Sequence, residues 1–419
     1  MLRKNRLVKN KIVNDPVHGF ISLDKPLLFE ILEHRWIQRL RRIRQLGLTH
    51  LVYPGAQHTR FQHVLGAMHL MSMAVSTLRS KGHSISEAEC EAVLAAILMH
   101  DVGHGPFSHV LEKTIVDLVS HEHLSSILMA QINRELGGAL DLAIDIFNDR
   151  YEKRYLHQLV SGQLDMDRLD YLKRDSFFSG VSEGVIGSDR IIKMLNMHND
   201  QLVVEAKGIY SIEKFLVARR LMYWQVYLHK TVLVAEKMLV QILQRAKYLA
   251  QQGETLYAPP SLNYFLSGNI GLDHFTRSDE AIGHFTMLDD DDVMCSIKNW
   301  MHHPDFVLAR LSTDFINRHL FRIKIRKNPF TAEEIARVQD RVVKGLGLKD
   351  LSHVDYFVLF DSISNSAYSS DDEHINILYH NGEIRDISEA SDMFDLSLLD
   401  RTVTRYYLCY PKCLGELLD

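Results

Sequence analysis

Cysteine is scarce in this chain: Cys90, Cys295, Cys409 and Cys413 are the only four among 419 residues. That is too few for a disulfide framework in a chain of this size, and it points to a reducing compartment. The pair in "CYPKC" could be half of a zinc site, but no second pair follows, which argues against zinc there. Long apolar runs are missing too: nothing approaches the roughly 18 uncharged residues that a bilayer span needs. The basic start "MLRKNRLVKNKIV" lacks the apolar stretch of a secretory signal. Positive charge is not in excess. A net charge of −5 argues against a general nucleic-acid or anionic-membrane partner. P-loop, GxGxxG and GxSxG patterns are absent, which removes the commonest nucleotide and hydrolase signatures. These absences leave a cytoplasmic, globular protein as the expectation.

What is present is an ordinary globular composition, 46% apolar and 24% charged, with an unusual 23 histidines. "KIVNDPVHGFISL" reads as a small hairpin with a turn near Asp15-Pro16 and Gly19. From Pro26 the period becomes helical, and Gly47 is a stop signal. Helical patterns dominate to about residue 250, at 61–81, 86–102, 106–119, 121–135, 152–161, 165–174, 188–197 and 209–251, with a short strand at 201–206. After "QQGETLYAPPS" the texture changes. Helices at about 275–305, 306–320 and 331–344 mix with strand-like "LFRIKI", "VDYFVLF", "INILYHNGEIRDI" and "RYYLCYP". The expected architecture is mainly α: a helical core with an N-terminal hairpin over 1–255, then a smaller α+β C-terminal lobe over 256–419. "SISNSAYSSDDEH" reads as a loop. "DDDD" at 289–292 reads as a helix N-cap cluster rather than a metal site.

The chemistry gathers around "MHDVGHGPFSH" at 99–109, which follows the apolar run "AVLAAIL". Gly103 and Gly105 end that helix and Pro106 suits the start of the next, so His100 and Asp101 fall at a buried helix end where polar groups need partners. A His-Asp pair alone is weak; three further segments strengthen it. "HTRFQHVLGAMH" supplies His63, "SHEH" supplies His121 and His123, and "GQLDMDRLDYLKRD" supplies Asp165, Asp167, Asp170 and Asp175. Asp167, Asp170, Tyr171 and Arg174 share one helix face, which turns either to a polar site or to water.

Together these segments resemble the HD superfamily of metal-dependent phosphohydrolases, whose pattern H…HD…D is matched by His63, His100-Asp101 and Asp167. The resemblance is closer to deoxynucleoside triphosphate triphosphohydrolases, both those that carry a SAM domain beside the HD domain and bacterial dGTPase-like relatives. It rests on "NDPVHG", "QRLRRIRQLG", "YPGAQHTRFQHVLG", "HDVGHGPFSH", "HE" at 121–122, "DMDRLDYLKRD" and "YLHK", in the family's order over roughly 11–230. No motif of the lobe after about 260 is matched.

The resemblance implies hydrolysis of a dNTP to deoxynucleoside and triphosphate. The four ligands would hold one divalent transition ion, Mn, Fe, Zn or Ni, with Mg accompanying the nucleotide as a further option. It implies His109 as the proton-transfer imidazole, with Glu112 one turn on in place of the usual Asp, and His104 and His121 near the phosphates. Arg60 would clamp phosphate oxygens. Gln45 and Leu46 match contacts to the deoxyribose, Tyr171 and Asp175 groups around the sugar, Arg219 a phosphate ligand and Tyr227 a sugar-packing tyrosine; Arg168 is counted with these substrate contacts. Leu228 and Tyr223 depart from the family's residues at those places. An activating site for GTP or a dNTP between subunits of a homo-oligomer, dimer or tetramer, is matched by Lys11, Asn14, Gln38 and Arg41, with Glu33 replacing an Asp; a basic helix at 34–44 packed at a subunit interface would account for the same residues. Two alternatives stay open: a different HD phosphohydrolase acting on a monophosphate or phosphodiester, and a nucleotide-binding regulator with little turnover.

Overall fold

The predicted hairpin forms. In the computed structural model, which describes residues 11–107, 110, 114, 116–117, 119–365, 374–392 and 402–418, Lys11–Asp15 pairs antiparallel with Gly19–Leu23. Asp15 Oδ1 accepts the amides of Val17 (3.0 Å) and His18 (2.9 Å), and Gly19 closes the turn at φ +75°.

The helix predicted from Pro26 toward Gly47 is instead three pieces: Pro26–Leu32, Arg35–Arg39 and a 3₁₀ turn at Leu40–Arg42. The break falls at His34, whose extended backbone (ψ 135°) lets its ring accept the Trp36 amide and cap a new helix. Beyond it Ile43 is extended and Arg44 bridges to Thr59. Seven helices then frame the core: α1 (Arg60–Ser80), α2 (Glu87–Met99), α3 (His121–Glu135), α4 (Arg154–Val160), α5 (Met166–Ser179), α6 (Ile209–Met222) and α7 (Lys230–Gln251). Two further short helices, Asp141–Phe147 and Ser188–Met194, lie among them. The single helix expected over 209–251 is broken by a π-turn at Tyr223–Tyr227, and His229 caps α7 by accepting the Thr231 amide. The helix expected over 188–197 gives way at Leu195–His198 to a strand that pairs with Gln201–Glu205. Most of the helix expected over 106–119 lies outside the described residues, although Val116–Asp117 pairs in parallel with Ile270–Gly271.

The C-terminal part is α+β as expected. Strands Arg322–Arg326, Val403–Tyr410 and Leu359–Asn365 make an antiparallel sheet with Val403–Tyr410 in the middle. The "DDDD" run opens α8 (Asp290–Trp300), with Asp289 as N-cap accepting the amides of Asp291 and Asp292. All four cysteines are free thiols; Cys409 is buried and Cys413 exposed. The expected loop at 362–374 starts as strand through Asn365, and most of the rest lies outside the described residues. The two parts share structure across residue 255. One four-stranded sheet runs Ile384–Asp386, Asn376–Leu378, Gln201–Glu205, Leu195–His198, and a single apolar core spans both. Among the described residues no helix is long and apolar enough to cross a membrane.

Candidate active site

Three helices deliver the expected metal ligands. At the start of α1 the Gln62 side chain accepts the Thr59 amide (2.9 Å), which fixes the helix entry and sets His63 one turn in. α2 is capped reciprocally by Ser86 and Glu89, buries all of Ala92–Met99, and delivers His100 at its C-cap with Asp101 next. α5 is capped by Asp165, whose Oδ1 accepts the Arg168 amide at 2.7 Å, so Asp167 sits in its first turn. The turn after Asp101 packs tightly on α3. A Cβ added at Gly103 would lie 2.3 Å from the His121 carbonyl oxygen, so glycine is required there.

The ligand atoms converge. His63 Nε2 and His100 Nε2 are 3.3 Å apart, and Asp167 Oδ1 lies 2.9 Å from the first and 3.6 Å from the second. Asp101 Oδ1 is 3.4 Å from His100 Nε2, and its Oδ2 is 3.9 Å from His63 Nε2. Each imidazole spends its Nδ1 elsewhere: His100 donates to the Ile97 carbonyl (2.6 Å) and His63 to Asp170 Oδ2 (2.8 Å). Two Nε2 atoms therefore face each other across 3.3 Å beside two carboxylates, an arrangement that needs a proton or a cation between them. His63, His100 and Asp101 could hold a metal ion, with Asp167 beside them, and that mix of imidazole and carboxylate suits a divalent transition ion. Burial disfavours the His63 imidazolium, but hydrogen bonds to Asp167 and Asp170 overcome it and raise its pKa to about 10. Without a metal the proton fills the same role, and an arriving cation must displace it.

Behind the ligands stands a layer whose hairpin half, Asp15 and His18, sequence reasoning missed; Asp170 and Arg174 turn inward to it rather than to water. Asp170 is fully buried and accepts from His63, from His18 Nε2 (2.7 Å) and from Arg174 Nε (2.9 Å); Arg174 also reaches Asp15 Oδ2 at 2.8 Å. The "NDPVHG" turn thus braces His63 through Asp170. Gly66, one turn after His63, makes room for it: a Cβ there would fall 2.0 Å from Asp170 Oδ1.

In front of the ligands, His104 Nε2 contacts Asp101 Oδ1 (3.2 Å) and its ring stacks on His121 with centroids 4.0 Å apart. Burial, then the nearby Arg60 cation, push the His104 pKa down to about 3, so its ring is neutral near pH 7. Arg60 is buried and donates to Asp101 Oδ2. A cleft of about 470 Å³ opens onto His100, Asp101 and Asp167 and is walled by His121, Glu122 and His157. His109 and Glu112 lie outside the described residues.

A second cluster sits further along α5. Asp175 accepts from Tyr227 Oη (2.8 Å) and His58 Nε2 (2.7 Å), and Tyr171 packs edge-on to Tyr227 with centroids 6.1 Å apart. The Gln45 amide donates to the His58 carbonyl at 3.0 Å, bringing Gln45 and half-buried Leu46 to the same place. Gln45 Oε1 is buried without a hydrogen-bond partner among the described residues. His58, buried and stacked on Phe178 at 4.5 Å, is a member that the sequence did not reveal. Arg168 and Arg219 both turn to the segment before α5, donating to Gly162 O and Asp165, and to Gln163 Oε1 (3.1 Å), respectively.

The residues expected at an activator site form one surface group. Lys11 pairs with Glu33 and lies over the Phe29 ring (4.7 Å), Gln38 donates to Leu32 O (2.7 Å), and Arg41 donates to Gln38 Oε1 (2.8 Å) while covering Phe61. Asn14 is exposed on the adjoining hairpin.

Comparison with known proteins agrees with this geometry. The HD domain family model matches residues 60–175, and the HD associated region matches 186–256. The chain is 32% identical to the Uncharacterized protein YwfO of Bacillus subtilis, over 98% of this chain and 94% of that one. It is 29% identical to the deoxynucleoside triphosphate triphosphohydrolase SAMHD1 of Gallus gallus over 56% of this chain, which spans 45% of that enzyme. The crystal structure of a phosphohydrolase from Bacteroides thetaiotaomicron superposes with a TM-score of 0.93 at 55% identity, covering 96% of this chain and all of that one. With His63, His100, Asp101 and Asp167 gathered at one point inside the matched segment, the chain belongs to the HD-domain phosphohydrolases.

Proposed function

We propose that the protein hydrolyses deoxynucleoside triphosphates to deoxynucleoside and inorganic triphosphate. The observation that carries this reading is the pairing of two clusters on one helix: Asp167 at the start of α5 among the metal ligands, and Tyr171 and Asp175 beside Tyr227, His58 and the unbonded Gln45 Oε1 further along it. A polyphosphate at the first and a hydroxyl-bearing sugar at the second would fit a nucleotide laid along α5. Resemblance to SAMHD1 supports the same substrate class.

In this reading His63, His100, Asp101 and Asp167 hold one divalent ion, Mn, Fe, Zn or Ni, and such an ion polarises a phosphoryl oxygen when bound. Arg60 holds Asp101 in place, and its guanidinium would clamp phosphate oxygens beside it. His104 and His121 line the phosphate path, and neutral His104 donates rather than repelling a cation. Water adds to phosphorus as the bond to the sugar 5′-oxygen breaks, and His109 with Glu112 delivers the proton that oxygen needs. Asp175, Tyr171, Tyr227, Gln45 and Leu46 receive the sugar; Arg168 and Arg219 complete the phosphate end. We further assign the Lys11, Asn14, Glu33, Gln38 and Arg41 group to an activating nucleotide, GTP or a dNTP, in a cytoplasmic homo-oligomer. Residues 256–419 act as a lobe that braces the 1–255 core.

The test is direct. Metal-loaded protein is incubated with each dNTP, with and without GTP, and the products are resolved. Deoxynucleoside and triphosphate in equal amounts are expected. Monophosphate with pyrophosphate, or binding without products, defeats the reading.

A further inference from the structure

The acidic run that opens α8 belongs to the C-terminal lobe, yet it reaches the site. Asp289 and Asp292 do the capping: Asp289 accepts the amides of Asp291 and Asp292, and Asp292 Oδ2 accepts the Asp289 amide at 3.0 Å. Asp290 is thereby left to bond elsewhere, and it is only 1% exposed. Its two oxygens take one main-chain amide each: Oδ2 accepts from Arg44 N at 3.0 Å, and Oδ1 from Phe107 N at 3.1 Å. Arg44 precedes Gln45 and Leu46, which lead to the tyrosine cluster. Phe107 ends the turn that leaves the metal ligands, and it does so at φ +52°, a conformation a bulky residue adopts only when its surroundings impose it.

Neighbouring contacts tie the same three segments. Buried Arg39 donates to Leu288 O (2.7 Å), just ahead of the acidic run, and to Val102 O (3.4 Å), just after Asp101. A Cβ at Gly47 would sit 3.9 Å from Phe107 Cα, so the two loops are in direct apposition. Neither loop has a regular element to hold its register against the other. Beside the Arg39 contacts, one carboxylate from the lobe does so, and it also pairs with the Arg44 guanidinium at 3.4 Å.

We propose that Asp290 is a positioning residue for the hydrolase site, locking the loop before Gln45 to the turn after the metal ligands. The inference rests on the hydrolase reading above. Each Asp290 oxygen takes a different amide, so a carboxamide in its place would set an NH2 donor against one of the two N–H groups. Nothing in Asp290 touches the metal ligands or the tyrosine cluster directly, so its loss shifts the two clusters relative to each other without emptying either.

The experiment uses the full-length, metal-loaded protein with a dNTP as substrate. Asp290→Asn keeps shape and is expected to lower kcat about tenfold or more, the scale of a slight misplacement of reacting groups, at unchanged metal content. Asp291→Asn removes the same charge from the exposed neighbouring position and is expected to keep wild-type kinetics. Wild-type kinetics in Asp290→Asn overturn the proposal, as does a loss of activity that only follows the fraction of folded protein. Amide exchange in the wild-type protein checks the clamp without any substitution. The Arg44 and Phe107 amides are expected to be protected together, and exchange of either at the rate of an exposed loop overturns the clamp. Wild-type protein that turns over no dNTP sinks the hydrolase reading instead, and the exchange measurement still reports on the clamp.

Discussion

The metal cluster and the tyrosine cluster both draw residues from α5, but they are held in different ways. At the metal end both imidazoles are fixed from behind, His100 by the Ile97 carbonyl and His63 by Asp170, and Asp170 in turn by His18 and Arg174. That scaffold leaves Nε2 atoms and carboxylate oxygens facing one point. At the tyrosine end the polar groups satisfy each other, Asp175 taking both Tyr227 and His58, and one acceptor, Gln45 Oε1, has no partner among the described residues. The first end is preorganised for a small cation: binding replaces the proton between His63 and Asp167 and leaves the bonds behind the imidazoles in place. The second is held by hydrogen bonds that a sugar hydroxyl can replace.

The largest expected effect comes from the metal end. Asp167→Ala removes a proposed ligand whose side chain is 28% exposed, so little packing is lost. Turnover should fall below detection, bound metal measured by atomic absorption should drop, and the melting temperature should stay close to wild type. Retained activity at full metal occupancy would erase the distinction between the two ends. Next is Asp170→Asn, which acts through His63. Metal affinity should weaken by about 10–100-fold, the usual cost of losing a partner behind a metal ligand. Stability should fall as well, by about 3–5 kcal/mol, because Arg174 is left with less than its full counter-charge in a dry site. Competition with a chelator and denaturant unfolding separate the two losses.

Glu89 offers a carboxylate of similar burial far from both clusters. Burial opposes its charge, but Lys153, Tyr151 and the Ser86 cap outweigh that and hold its pKa at about 2, below the usual 4.5. A depressed carboxylate stabilises the fold fully above its unfolded pKa, and that contribution disappears as pH falls through the folded value. The window is therefore about pH 4.5 down to 2, and the contribution is about 3 kcal/mol. Glu89→Gln should flatten the acid limb of unfolding measured by circular dichroism, with metal binding near pH 7 unchanged. If metal binding changes with it, the metal end is less self-contained than its hydrogen bonds imply.

The contrast also accounts for what could be read from the chain. His100 and Asp101 were legible because charged or titratable groups at the end of a strongly apolar helix must find a counter-charge or an ion, and the family resemblance added His63 and Asp167. Tyr171 and Asp175 followed from their spacing on α5 and from the family resemblance. Asp15 and His18 were not legible as supports: they lie in a hairpin turn whose partners, Asp170 and Arg174, are more than a hundred residues away, and no local period records that. His58 and Asp290 escaped for the same reason. The breaks at His34 and at Tyr223–Tyr227 were hidden because the residues on both sides favour helix, and the break is set by an imidazole cap or by packing. The sheet joining Gln201–Glu205 to Asn376–Leu378 is likewise a long-range pairing, which residue texture does not reveal.

The smallest expected effect tests the tyrosine end alone. Tyr227→Phe deletes one hydroxyl and keeps the ring that packs on Tyr171. In the free protein it costs Asp175 one of two donors, leaving His58. A hydrogen bond of this kind contributes about 1 kcal/mol, so KM for a dNTP should rise roughly fivefold with kcat nearly retained. Bound metal should stay at the wild-type level, because Asp175 bonds to Tyr227 and His58 rather than to His63, His100, Asp101 or Asp167. Steady-state kinetics and metal analysis on one preparation decide it. A collapse of kcat, or a loss of metal, would mean that Asp175 answers to the metal end and that α5 carries one site held as a unit.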